Sequence, residues 1–123
     1  MKEESKGLRH LFKAFGYSVS GLRFAFKESA IRQELLLGIV NCCALSMLDL
    51  PAGARVVLFL LWALIIIVEL LNTAVEAAVD LISPQFNELA KKAKDIGSAA
   101  VFCSLLVFFC GWAMVCCERF LLK

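Results

Sequence analysis

Hydrophobic and polar positions fall into four blocks along the chain, each long enough for a helix. In the first, Leu8, Leu11, Phe12, Phe15, Val19, Leu22 and Phe26 share about 100° of helical arc, while Arg9, His10, Lys13, Tyr17 and Ser20 lie elsewhere. This predicts an amphipathic helix over residues 7–27 with a basic face, suited to a membrane surface. Gly16 and Gly21 are expected to bend or break it. Leu35 to Leu50 is apolar apart from Asn41, Ser46 and Asp49, and with its polar entry it predicts a first span over residues 29–49. Asp49-Leu50-Pro51-Ala52-Gly53 then makes a tight turn, so the next span returns antiparallel. That second span, residues 54–82, ends at Ser83-Pro84, and a polar loop is expected over 83–90. Ala90-Lys91-Lys92-Ala93-Lys94-Asp95 should open the third helix. Its span, residues 92–118, includes the 22 residues from Ile96 to Cys117, which carry no charge. The expected fold is an all-α membrane protein, one domain over residues 1–123, with three transmembrane helices and an amino-terminal surface helix.

Composition strengthens the membrane assignment. Hydrophobic residues make up 61% of the chain and mean hydropathy is +0.81, well above ordinary soluble domains. A chain this small encloses no aqueous path alone, so oligomerisation is expected. Lys2, Lys6, Arg9, Lys13, Arg23, Lys27 and Arg32 precede or open the first span, and Lys91, Lys92 and Lys94 follow the second, whereas Arg55 alone lies between the two. The positive-inside rule places the amino terminus and the 83–95 loop in the cytoplasm. The six cysteines sit in apolar segments without a Cys-x-x-Cys, far from His10, the only histidine, and read as small hydrophobes. No cleavable signal peptide is expected, since a polar, basic segment precedes the first apolar run.

The second span holds the feature that changes the picture. At 100° per residue, Asn72, Thr73, Glu76 and Asp80 stand about −60°, +40°, −20° and +20° from Glu69. Over residues 68–80, three carboxylates, an amide and a hydroxyl share one stripe on a cylinder otherwise built of Leu, Val and Ala. Carboxylates at membrane depth are costly and so point to function. From Val56, Glu69 is about 20 Å along the helix and Glu76 about 30 Å, against about 30 Å of hydrocarbon. Glu69 is expected inside one leaflet and Glu76 at its edge.

Hard oxygen ligands at that edge suit Mg²⁺, which binds one or two carboxylates together with substrate phosphates; Glu28 and Glu76 fit. Lys94 is a point charge suited to a phosphate, and Ala93, Gly97 and Ala100 let its helix approach closely enough to bring it towards Glu76. Glu69, deeper and poorly solvated, suits a general base, with Asn72 one turn away to orient it. The set fits phosphoryl transfer to a lipid hydroxyl. The same stripe also fits interhelical polar contacts in an oligomer, or proton sites in a small transporter. Without Gly-x-x-x-x-Gly-Lys, Asp-Phe-Gly or a Gly-rich loop, no soluble-kinase fold is supported, and no nucleic-acid partner is expected.

Gly16-Tyr17-Ser18 with Gly21-Leu22-Arg23, Ile31-Arg32-Gln33-Glu34, Val68-Glu69-Leu70-Leu71-Asn72-Thr73-Ala74-Val75-Glu76 with Asp80, and Ala93-Lys94-Asp95-Ile96-Gly97-Ser98-Ala99-Ala100 closely resemble the prokaryotic diacylglycerol kinases over essentially the whole chain. The resemblance implies a homotrimer in the bacterial inner membrane, with active sites shared between subunits at the cytoplasmic interface. It implies ATP as cosubstrate, Glu69 as general base supported by Asn72, and Glu28 and Glu76 as Mg²⁺ ligands. His10, Tyr17, Lys94 and Asp95 would contact the nucleotide together with Gln85, Phe86 and Asn87, while Arg32, Glu34, Ser98 and Trp112 would line the lipid cleft with Glu69. Three positions depart from the family pattern. His10 stands where Arg is expected (Arg9 adjoins it), Phe15 replaces a small residue, and Gln85-Phe86-Asn87 replaces Glu-Tyr-His. Lys91-Lys92-Ala93-Lys94-Asp95 resembles the related undecaprenol kinases, but Asp95 to Ala100 favours diacylglycerol as acceptor.

Overall fold

The computed structural model describes residues 2–121, without the side chains of residues 2–6 and Leu8. The expected place of Leu8 on the apolar arc, and the charges of Lys2, Lys6 and Lys123, therefore lie outside the described residues. The chain forms four α-helices: α1 (Lys2–Ala25), α2 (Ser29–Met47), α3 (Ala52–Ile82) and α4 (Glu88–Cys116). A π-type turn over Cys117–Leu121 closes the last of them. Three stretches, Ser29–Met47, Ala52–Ile82 and Glu88–Leu121, are long and apolar enough to cross a membrane, with mean hydropathies of 1.3, 2.6 and 2.3. They fit a membrane protein.

Packing within the chain is inside-out relative to a soluble bundle. Large apolar side chains such as Leu36, Ile39, Leu60, Leu71, Phe102 and Met114 point outward and are more than half exposed. The buried side chains include Glu34, Asn41, Glu69, Asn72 and Ser104. Apolar residues around the whole circumference mark helices whose surroundings are themselves apolar.

α3 packs most extensively on α4 and less on α2, while α1 packs on none of them to a similar extent. The α3–α4 approach depends on two glycines of α4, fourteen residues apart and so on nearly one face. A Cβ on Gly111 would lie 2.5 Å from Leu61 Cδ1, and one on Gly97 would collide with the Asn72 amide. Small residues let membrane helices meet at this range.

Three elements differ from the sequence expectation. α1 runs unbroken through Gly16 and Gly21, because a helical glycine costs only about 1 kcal/mol against Ala and the neighbouring residues outweigh it. α4 starts at Glu88 rather than near Ala90, so the polar loop is shorter than expected. Asn87 is the reason: its Oδ1 accepts from the amides of Leu89 (2.8 Å) and Ala90 (3.3 Å), an N-cap worth about 1 kcal/mol. α2 ends at Met47, where Leu48 turns extended ahead of Pro51.

The α2–α3 hairpin is fastened at its turn. Arg119, beyond α4, donates from Nε to the Asp49 carbonyl (2.8 Å) and forms an ion pair with its carboxylate (2.5 Å). Arg55 donates to the Leu48 carbonyl at 3.3 Å. Leu45, Leu50 and Leu58 pack beneath, with Leu48, Trp112 and Val115 against them. Because Asp49 is exposed, the Arg119 tie contributes about 1–2 kcal/mol. Arg119→Ala is expected to lower Tm in detergent by a few degrees. An unchanged melting curve would show that the tie carries no weight.

Candidate active site

α2 begins, α3 ends and α4 begins at the same end of the bundle, and the sequence places its ionisable residues there. The acidic stripe of α3 faces inward. Leu58, Ile65, Glu69 and Asn72, all buried, lie on one side of the helix, and Glu69 and Asn72 are 6% and 7% exposed. Exposure rises along the stripe towards the helix end: Glu76 is half-buried and Asp80 exposed. The costly groups are thus shielded by protein where the helix is most apolar.

A cleft of about 350 Å³ opens along this face, lined by Glu28, Ser29, Ala30, Glu69, Asn72, Thr73, Glu76, Ser98 and Val101. Three helices contribute carboxylates, an amide and hydroxyls to it. Asn72 Nδ2 donates to Glu76 Oε1 at 3.1 Å, while Asn72 Oδ1 is buried against Gly97 with no partner. The amide is therefore fixed between α4 and the carboxylate, and it holds Glu76 in place. Asn72 also forms the wall to an apolar groove of about 440 Å³ lined by Val68, Leu71, Val75, Ala93, Ile96, Gly97 and Ala100.

A second cleft, about 310 Å³, lies at the end of the bundle between the α3 terminus and the start of α4. Asp80, Ser83, Gln85, Phe86, Asn87, Lys91, Lys94 and Asp95 are among its lining residues. Ser83 Oγ donates to the Gln85 carbonyl at 3.1 Å, which shapes the connecting loop. Lys94 donates to Asp80, and Lys91 pairs with Asp95 at 2.5 Å one turn along α4. The sequence expectation brought Lys94 towards Glu76. Its partner is instead Asp80, one turn further along α3, because helix α4 begins beside the end of α3 and its first turns run past Asp80.

The structure thus gathers Glu28, Glu69, Asn72, Glu76 and Ser98 in one cleft, and Gln85, Phe86, Asn87, Lys94 and Asp95 in the other. His10 and Tyr17 stand exposed on α1 and line neither cleft, and Arg32 is exposed on α2. Glu34 is buried on the inner face of α2, and one of its carboxylate oxygens has no partner. Trp112 lies towards the hairpin end, where its Nε1 donates to Asn41 Oδ1 at 2.9 Å and its ring borders an apolar cavity. Ser29 was not singled out from the sequence, and an isolated serine at a helix end carries no signal that could have marked it.

The sequence pattern of the family described as prokaryotic diacylglycerol kinase matches residues 16–116. A diacylglycerol kinase of Pseudomonas aeruginosa is 43% identical over 110 residues, 89% of each chain. One of Escherichia coli K12 is 41% identical over 124 residues, covering 98% of this chain and 99% of the relative. One of Helicobacter pylori 26695 is 39% identical over 110 residues, 89% and 86% of the two chains. With the match running from α1 into the last turn of α4 and taking in both clefts, the chain belongs to the prokaryotic diacylglycerol kinase family.

Proposed function

We propose that this protein transfers the γ-phosphoryl group of ATP to the free hydroxyl of 1,2-diacylglycerol in the membrane, giving phosphatidic acid and ADP. The observation that carries the reading is the pair of adjoining clefts at one end of an apolar bundle, one acidic and reaching into the helices, the other holding lysines at the surface. A lipid hydroxyl reaches the first from the hydrocarbon side, and a soluble nucleotide reaches the second from water. The hydroxyl and ammonium groups of the second cleft suit a phosphate chain, and the exposed Phe86 ring offers a face for a base. The parallel assignments are Tyr17, His10, Gln85, Phe86, Asn87, Lys94 and Asp95 for the nucleotide, and Arg32, Glu34, Ser98 and Trp112 for the lipid.

In this reading Glu69 accepts the proton of the acceptor hydroxyl as its oxygen attacks the γ-phosphorus, and the bond to the ADP oxygen breaks with its electron pair. Glu69 is sheltered from bulk water, which limits the competing attack by water. Glu28 and Glu76, with the Asn72 amide holding the latter, form a hard-oxygen set suited to Mg²⁺; among the described residues no three acidic, His or Cys groups make a closed cage, and Mg²⁺ needs none when phosphates complete its shell. The metal supplies neutralisation of charge on the transferring phosphoryl group. Lys94, held at the cleft by Asp80, exchanges that carboxylate for a phosphate oxygen.

The working unit in this reading is a homotrimer. His10 and Tyr17 lie away from both clefts of their own chain, so their nucleotide contacts would be made in a neighbour's site, and the outward apolar faces of α3 and α4 supply the contact surface. α1 lies on the cytoplasmic membrane surface with Leu11, Phe12, Phe15, Leu22 and Phe26, all exposed within the chain, directed into lipid. The 83–95 segment faces the cytoplasm of an inner membrane, and residues 1–123 act as one kinase domain.

Purified protein with radiolabelled ATP, Mg²⁺ and mixed micelles of diacylglycerol or undecaprenol tests the reading. Label is expected in diacylglycerol. Label in undecaprenol alone would reassign the acceptor, and label in neither lipid would remove the kinase reading.

A further inference from the structure

The inner face of α3 carries one large residue that the phosphoryl-transfer reading leaves unused. Trp62 stands seven residues, two turns, before Glu69 and about 20° from it around the helix. Its indole Nε1 donates to the main-chain carbonyl of Glu34 in α2 at 2.9 Å. Its ring lies on Gly38, one turn further along α2, where any Cβ would collide with the indole nitrogen and the adjoining ring carbons. The ring therefore fills the room of an absent side chain while its N–H takes a carbonyl one turn away. The first contact is steric and the second directional, so sliding or rotating α2 loses one or both.

α2 depends on such fixing. It packs less on its neighbours than α3 and α4 pack on each other. Among the described residues its side-chain hydrogen bonds to the other helices are this one and Trp112 to Asn41. Glu28 immediately precedes α2 and lines the acidic cleft; it stands six residues, about 9 Å of helix, from the anchored carbonyl. A small error at the anchor is thus carried directly to Glu28.

We propose that Trp62 and Gly38 form a positioning pair: the indole, seated on Gly38 and bonded to the Glu34 carbonyl, sets the depth and rotation of α2 and so holds Glu28 level with Glu69 and Glu76. The consequence for catalysis rests on the kinase reading. The placement of α2 does not.

The test uses Gly38→Ala, the double variant Gly38→Ala/Trp62→Val, and Trp62→Phe, which keeps a ring and removes the N–H. Two quantities are read in the full chain: kcat with KM for ATP and diacylglycerol, and the distance between spin labels at Lys27 and Leu81 in a cysteine-free background, labelled chains being diluted in unlabelled ones. Gly38→Ala is expected to lower kcat about tenfold or more with both KM values within about threefold, since misplacement of about 1 Å costs rate rather than binding. The interspin distance should shift by about 1 Å or more. The double variant, with the clash removed, should recover both quantities, and Trp62→Phe should give a smaller loss of the same kind. Wild-type kcat and distance in Gly38→Ala would overturn the pair, as would a double variant that recovers neither. If Gly38→Ala does not fold, unchanged kcat and distance in Trp62→Phe would overturn it. An inactive parent chain would refute the kinase reading instead, and the distances would still decide the placement of α2.

Discussion

Glu69→Gln is expected to lower kcat by about 10³-fold or more while the bundle stays folded. Glutamine keeps the length and volume of the side chain and its place among Leu58, Ile65 and Asn72, so packing on the inner face of α3 is preserved. What it loses is the lone basic oxygen that accepts the hydroxyl proton. No other described carboxylate in the cleft is as sheltered: Glu76 is half-buried, bonded to Asn72, and Glu28 is exposed. Removing a buried charge should leave Tm equal or higher, because the uncompensated cost of burial disappears with it. KM for ATP is expected to stay within a few-fold, since the substituted residue lies away from the lysine-bearing cleft. The measurement is single-turnover transfer from radiolabelled ATP to diacylglycerol alongside thermal unfolding. A folded Glu69→Gln protein within about tenfold of the parent would take the base role away from this residue.

That expectation was available from the sequence because the decisive information is periodic. Four polar residues within about 60° either side of Glu69, on a helix otherwise apolar, must turn inward if the helix lies in hydrocarbon, and Glu69 and Asn72 do. The three long apolar helices were legible for the same reason. What was not legible depends on where helices begin and how they meet. The partner of Lys94 depends on how far the first turns of α4 overlap the end of α3, and no periodicity within either helix encodes that overlap. Continuity of α1 through two glycines is a sum of small propensities, not a pattern. Trp62 did leave a trace, lying on the stripe of Glu69, but its role depends on Gly38 of α2 across from it, which no pattern within α3 encodes. His10, Tyr17 and Arg32 are exposed and line neither cleft of their own chain, so helix periodicity carries no trace of a role for them.

Glu76→Gln is expected to fail differently from Glu69→Gln, and the difference separates the two carboxylates in role. Glu76 shares its cleft with Glu28 and accepts a hydrogen bond from Asn72, which leaves its other oxygen free for a cation. An amide in its place keeps one neutral oxygen and loses the charge, so the half-saturating Mg²⁺ concentration should rise about tenfold to a hundredfold and kcat at ordinary Mg²⁺ should fall about 10²-fold. Raising Mg²⁺ should then restore part of the rate, because what is missing is occupancy of the site. The same addition should do nothing for Glu69→Gln, where what is missing is a proton acceptor. Glu28→Gln should follow Glu76→Gln, with the smaller effect of a more exposed ligand. Titration of Mg²⁺ at saturating ATP and lipid for the three variants reads the split directly. Partial rescue of Glu69→Gln with none for Glu76→Gln would exchange the two roles, and identical Mg²⁺ curves for all three would mean that neither Glu28 nor Glu76 holds the metal.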